Sequence, residues 1–172
     1  IERFQDEDGG GFFFTSHDHE QLIHRSRPMS DDSTPSGNGI AAQALGRLGH
    51  LLGDRRYLDA ATGTLQAGWA EMQRFPHGHT ALLAALEEAL HPPTVIIIRG
   101  APEDMRQWSE TVNAVFAPRR MTFAIPADAP DLPEPLAAKS PGEGTTAYVC
   151  RGTACTAPLD SLQALAREIA ES

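Results

Sequence analysis

The sequence predicts a mixed α and β chain, helical in its first half and a small three-stranded, mainly parallel α/β unit in its second. Three observations carry this. Apolar residues recur at three- and four-residue steps between Ile40 and Leu90, the period of a helix with one buried face. An uninterrupted β-branched run follows the break at His91-Pro92-Pro93, as in a strand buried on both faces. A strand, helix, strand pattern then fits into about thirty residues, the size of a crossover unit with parallel strands. The boundary falls near residue 92. Residues 1–91 form a helical-hairpin part led by a polar loop, and residues 92–172 form the α/β unit, with strands near 94–98, 121–125 and 145–149.

Each element has its own signals. Residues 1–33 read as loop, with Gly9-Gly10-Gly11 as a tight turn and Phe12-Phe13-Phe14 as a short extended segment plugging the core. Thr34-Pro35 opens the first helix as cap and first-turn proline, and Ile40, Ala44, Leu45, Leu48, Leu51 and Leu52 form its apolar face. Gly53 ends it and Asp54 caps a second helix, whose stripe is Leu58, Ala61, Leu65, Trp69 and Met72. A link this short makes the two helices an antiparallel hairpin. His77-Gly78-His79 is a solvated turn, and Leu82, Leu83, Leu86 and Leu90 define a third helix. Beyond the first strand, Pro102 starts a helix with Met105, Trp108, Val112, Val115 and Phe116 on one face. Residues 126–144 are an exposed excursion rich in proline, and Leu162, Leu165 and Ile169 mark a last helix.

Composition bounds the function. The 172 residues allow one good core or one core with an appendage, and 41% hydrophobic with 22% charged residues is ordinary for a globular chain. A formal charge of -9 argues against a nucleic-acid or anionic-membrane surface, and no apolar run approaches membrane-spanning length. Two cysteines form no disulfide framework and are compatible with a cytoplasmic protein. The chain opens on Ile1 without a basic and apolar leader, and is expected to be a fragment of something longer.

Two clusters carry candidate chemistry. In the loop leading to the first helix, Arg25 and Arg27 offer guanidinium forks, Asp31 and Asp32 carboxylates, and Ser36 and Asn38 neutral donors and acceptors. That mixture suits a polyhydroxylated, sugar-like ligand, and the same residues also suit a helix cap with local ion pairs. His17-Asp18-His19-Glu20 with nearby His24 has no metal-ligand spacing, so neither metal nor cofactor is expected. The second cluster is Cys150 and Cys155, four residues apart between a strand and a helix. It reads as a redox dithiol of unusual spacing, a disulfide across a folded-back turn, or two small buried side chains.

Three motifs occur in order: Asp8 to Glu20 with its Gly-Gly-Gly-Phe-Phe-Phe-Thr-Ser-His-Asp-His core, Ser30-Asp-Asp-Ser-Thr-Pro-Ser-Gly-Asn-Gly39, and Ala147-Tyr-Val-Cys-Arg-Gly-Thr-Ala-Cys-Thr-Ala-Pro158. Together they resemble the C-terminal portion of the YyaL-type family, which includes spermatogenesis-associated, thioredoxin-domain-containing proteins. The resemblance covers nearly the whole chain. It implies a thioredoxin-like domain absent from this chain, and a helical toroid similar to six-hairpin glycosidases and N-acylglucosamine 2-epimerases. Residues 1–91 are then the last hairpins of an incomplete (α/α)6-type toroid. The family tends to carry Arg-Pro-Lys-Pro where this chain has Arg25-Ser-Arg-Pro28, and an arginine does not replace a compact ammonium.

By that analogy Asp18, Glu20 and Asp32 are candidate acid/base groups of an epimerase- or glycosidase-like site, with Arg25 and Asn38 holding the ligand; the isolated fragment is expected to be inactive. The alternative is a non-catalytic accessory or redox-linked client-binding module, with Cys150 and Cys155 structural or a resolving pair. A truncated toroid leaves apolar helix faces uncovered, so self-association of the fragment is also expected.

Overall fold

A computed structural model describes residues 1–20 and 23–170. It divides into two compact units, the first made of Ile1–Gly49 and Asp54–His91, the second of His50–Gly53 and the residues from Pro92 onward.

Helix α1 (Gly37–Leu52) starts two residues later than Thr34-Pro35 predicts. Ser36 is the cap, because its hydroxyl accepts the Gly39 N–H at 3.1 Å and its carbonyl receives the Ile40 N–H. Gly53, at φ +62°, ends the helix in the left-handed region, and Asp54 Oδ1 accepts the Arg56 N–H to cap α2 (Arg55–Arg74). A 3-10 turn over Pro76–Gly78 leads into α3 (Thr80–Leu90). His79 is not in a solvated turn. It is buried, with Nδ1 2.8 Å from the Phe75 carbonyl and Nε2 3.3 Å from Glu71.

The packing follows only part of the predicted face of α1: Leu51 and Leu52 are partly buried against a core cluster. Ile40, Ala44 and Leu48 are exposed, and the buried residues are Asn38, Gly39, Ala42 and Gly49. Small residues let helix backbones approach closely, and the glycines lie at those approaches. A Cβ on Gly39 would stand 2.5 Å from Ala81 Cβ, one on Gly49 2.5 Å from Leu58 Cδ2, and one on Gly68 2.8 Å from Leu82 Cδ1. Met29, Ala42, Leu65, Met72, Leu82 and Ala85 form the resulting core. Trp69 and Leu90, predicted to face inward, are substantially exposed. Arg47 completes the α1–α3 contact with two hydrogen bonds to Glu88, and Gln43 donates a third. Burial works to raise the Glu88 carboxyl, but these donors hold it below its usual range.

The second unit is a four-stranded mixed sheet in the order β2-β1-β3-β4, in place of three mainly parallel strands. Strand β1 (Thr94–Gly100) runs parallel to β2 (Arg120–Pro126), with α4 (Pro102–Asn113) between them in sequence. Strand β3 (Thr146–Arg151) pairs antiparallel with β1, and β4 (Ala154–Cys155) antiparallel with β3. The reason is in the connection. The segment before β3 contains only the four-residue helix α5 (Glu134–Ala137), not a crossover helix that would return the chain for another parallel strand. Gly152, at φ +60°, then folds the chain back into β4.

One sheet face packs Ile96, Ile98 and Val149 on Met105, Trp108 and Val112 of α4 and on Leu165 of α6 (Leu162–Ala170). The other carries Val95, Ile97 and Cys150 under Leu136 and Leu132, so the 126–144 excursion covers the sheet instead of standing in solvent. Helix α4 ends before Val115 and Phe116, and both are exposed, Phe116 at 90%. No helix among the described residues is long and apolar enough to cross a membrane.

Two glycine substitutions in α1 should move stability in opposite directions. Gly39→Ala places a methyl against Ala81 and is expected to cost about 1–3 kcal/mol. Gly46→Ala adds a Cβ into open space and should stabilise by roughly 0.5–1 kcal/mol. Urea denaturation of both variants beside the parent checks the pair of signs.

Candidate functional site

The loop and the start of α1 line an open cleft of about 730 Å3. Its construction begins with the triple glycine. Gly10 and Gly11 sit at φ +70° and +78°, and a side chain on Gly10 would strike the Gly63 carbonyl of α2, while one on Gly11 would meet Met29 and Asn38. The turn lets residues 4–13 double back: Gln5 bridges Phe12, the Phe13 N–H donates to Phe4 O, and Asp6 N–H donates to Gly11 O. Arg27 pins this small hairpin by pairing with Asp6 at 2.7 Å and by donating to the Gly10 carbonyl.

Asn38 locks the hairpin to α1. Its Oδ1 accepts the Phe12 N–H at 2.6 Å, and its Nδ2 donates to the carbonyls of Phe12 and Pro28, each at 2.9 Å. With 2% of its surface exposed, Asn38 works as a buried clamp.

Asp31 performs the matching task toward α3, whose own cap residue, His79, supplies no side-chain cap. Asp31 Oδ2 accepts from Thr80 Oγ1 at 2.6 Å and from the Ala81 N–H at 3.0 Å, and Oδ1 accepts from the Ser36 N–H at 2.9 Å. Desolvation pushes the carboxyl upward, but the donors from Thr80, Ser36 and Ala81 outweigh it and hold the pKa at about 2.

The cleft therefore has a defined lining. It is lined by Phe12, Phe13, Phe14, Phe4 and Ile1, by Ala41, Ala44 and Leu45 of α1, and by the exposed polar residues Ser30, Asp32 and Thr34 beside the start of the helix. The phenylalanines are not a core plug. Phe12 and Phe13 are half-buried and Phe14 is 76% exposed.

The candidate residues separate on this geometry. Asp32 is exposed and lines the cleft; Ser36 and Asn38 line it while engaged in capping and clamping. Asp31 and Arg27 are committed to protein partners. Arg25 donates to Thr15 O at 2.6 Å and stacks 4.1 Å from the Phe13 ring centroid. Asp18 and Glu20 are exposed on the loop and are not lining residues; a hydrogen bond from Ser16 holds Asp18 below its usual range, and Arg3 lies 3.6 Å away. Among the described residues no group of three or more His, Cys, Asp or Glu side chains is placed to hold a metal. The aromatic lining was the part that residue chemistry left out. Its one signal in the sequence is three consecutive phenylalanines, which a strand cannot all turn to one core.

Cys150 and Cys155 form a disulfide between directly opposed residues of β3 and β4.

Comparison with curated proteins finds human (Homo sapiens) spermatogenesis-associated protein 20, 26% identical over 164 residues. The match covers 91% of this chain and 21% of that protein, so the chain spans about a fifth of the length of the curated relative it matches. This distant similarity supports the relationship to spermatogenesis-associated proteins expected from the three motifs. No family model matches the chain.

The Asp31 network sets an acid dependence. Its carboxyl is depressed from 3.8 to about 2 on folding, so its contribution is complete above the unfolded value and is lost as pH falls through the folded one. Asp31→Ala should cost roughly 2 kcal/mol at neutral pH and flatten the loss of stability between about pH 5 and pH 2. Thermal melts of both proteins across that range check it. An unchanged acid slope in the variant would remove Asp31 from this role.

Proposed function

We propose that residues 1–49 supply a binding cleft for a sugar-like small molecule within a longer protein, and that this chain binds the ligand and does not cleave it. The observation that carries the reading is the cleft itself, whose aromatic and polar lining includes residues of the Ser30 to Asn38 loop. Its volume lies in the range of small-molecule sites, and apolar walls with a few placed polar groups are their usual composition. An aromatic ring offers a flat face to the C–H side of a sugar ring, while Ser30, Asp32 and Thr34 meet its hydroxyls.

Binding is favoured over hydrolysis by the count of acids. Glycoside cleavage uses two carboxyl groups flanking the bond, and of Asp18, Glu20 and Asp32 only Asp32 lines the cleft. In this reading residues 1–91 are the last hairpins of a helical ring of carbohydrate-active ancestry, and the thioredoxin-like domain belongs to the longer protein. The match covers 21% of the human relative, so most of that protein lies outside it.

A thermal-shift screen of this chain against mono- and disaccharides tests the proposal. A ligand that saturates the cleft at a hundred times its Kd stabilises by about 2.7 kcal/mol, enough for a clear rise in Tm. Asp32→Ala and Phe14→Ala alter exposed lining residues, so each should keep the parent's unliganded Tm and reduce the shift. A panel with no shift, or a shift that both variants retain, sinks the assignment.

A further inference from the structure

We propose that the Cys150–Cys155 disulfide is a thiol-exchange site, reduced in the folded protein by a partner dithiol that attacks at Cys155. The two cysteines face one another in the β3–β4 ladder, with Cα atoms 3.9 Å apart and only five residues of separation. Their surroundings differ sharply. Cys150 is 5% exposed and packs among Val95, Ile97 and Leu136, whereas Cys155 is exposed on the two-residue strand beyond the turn. β4 is the edge of the sheet, and among the described residues no further strand pairs with it. One exposed cysteine and one buried cysteine is the arrangement in which attack is directed to a single partner of the bond.

The bond is also redundant as a staple. A cross-link closing so short a loop removes less freedom from the unfolded chain than one closing a long loop. The segment it ties is already held by other bonds: Thr156 N–H donates to Val149 O at 2.9 Å, Val149 N–H donates to Thr156 Oγ1 at 3.2 Å, and Ala147 and Leu159 exchange two hydrogen bonds. Breaking the disulfide leaves this ladder in place, so the pair can be reduced without unfolding the unit.

The exchange balances as follows. A partner thiolate attacks Cys155 Sγ, the S–S electron pair departs on Cys150 Sγ, and that sulfur takes a proton from water, since its apolar site disfavours a thiolate. The partner's second thiolate then attacks its own sulfur in the mixed disulfide and expels Cys155 as a thiolate. The partner dithiol becomes a disulfide, and the two electrons reside on the two reduced cysteines.

Dithiothreitol stands in for the partner. Native protein is treated with it, quenched with a maleimide and weighed by mass spectrometry, and its Tm is measured alongside. Complete reduction within minutes and a Tm lowered by only a few degrees are expected. The single-cysteine variants then separate the two sulfurs. Cys150→Ser, which leaves Cys155, should react with maleimide at least ~10-fold faster than Cys155→Ser, which leaves Cys150. A disulfide that resists dithiothreitol until the protein is denatured, or equal reactivity of the two variants, would overturn the proposal and make the bond a structural staple.

Discussion

The first unit depends on one carboxylate. Asp31 collects donors from Ser36, Thr80 and Ala81, which belong to the approach to α1 and the start of α3. A helix start carries unpaired N–H groups, and α3 lacks a local cap, so a side chain from some fifty residues earlier completes it. Ser36 is thereby held where its hydroxyl can cap α1. Asn38, two residues on, closes on both backbone groups of Phe12 in the loop. The polar residues of this stretch act first as architecture, and the surface they leave uncovered is the cleft.

That division explains why the cleft combines an apolar lining with a few polar residues. Burying a polar group is tolerated only when its hydrogen bonds are met, and the protein meets them with Asp31, Ser36 and Asn38. The side chains left over are the phenylalanines of the doubled-back hairpin and the outer face of α1, which takes Ala41, Ala44 and Leu45 to the lining. Glycine makes this possible on the opposite side. With Gly39 and Gly49 at the helix contacts, α1 packs by backbone approach and keeps Ile40 and Leu48 outward.

The second unit solves a different problem. Its central strands are buried on both faces, so both layers of cover must come from the same short chain. Helices α4 and α6 supply one layer, and the proline-rich segment around Leu132 and Leu136 supplies part of the other. The sheet grows antiparallel beyond β1 and ends in a two-residue edge strand, which carries the disulfide from a buried cysteine to an exposed one.

Local signals were enough for the mixed α and β character, the caps and stops at Gly53 and Asp54, the run of β1 and the α4 crossover, because each is written in adjacent side chains. The order of motifs was also legible, and it pointed to the spermatogenesis-associated relatives. Periodicity did not reveal which face of α1 turns inward. Ile40, Ala44 and Leu48 share a stripe with the apolar period, but burial went to Gly39, Ala42 and Gly49, since contact distance to α3 and α2 decides it. The roles of Asp31 and Asn38 were equally hidden, as their partners lie across the fold. Composition of the loop named the right residues for a polar site, and only tertiary structure separated those that hold the protein together, such as Asp31, from those that face the cleft, such as Asp32.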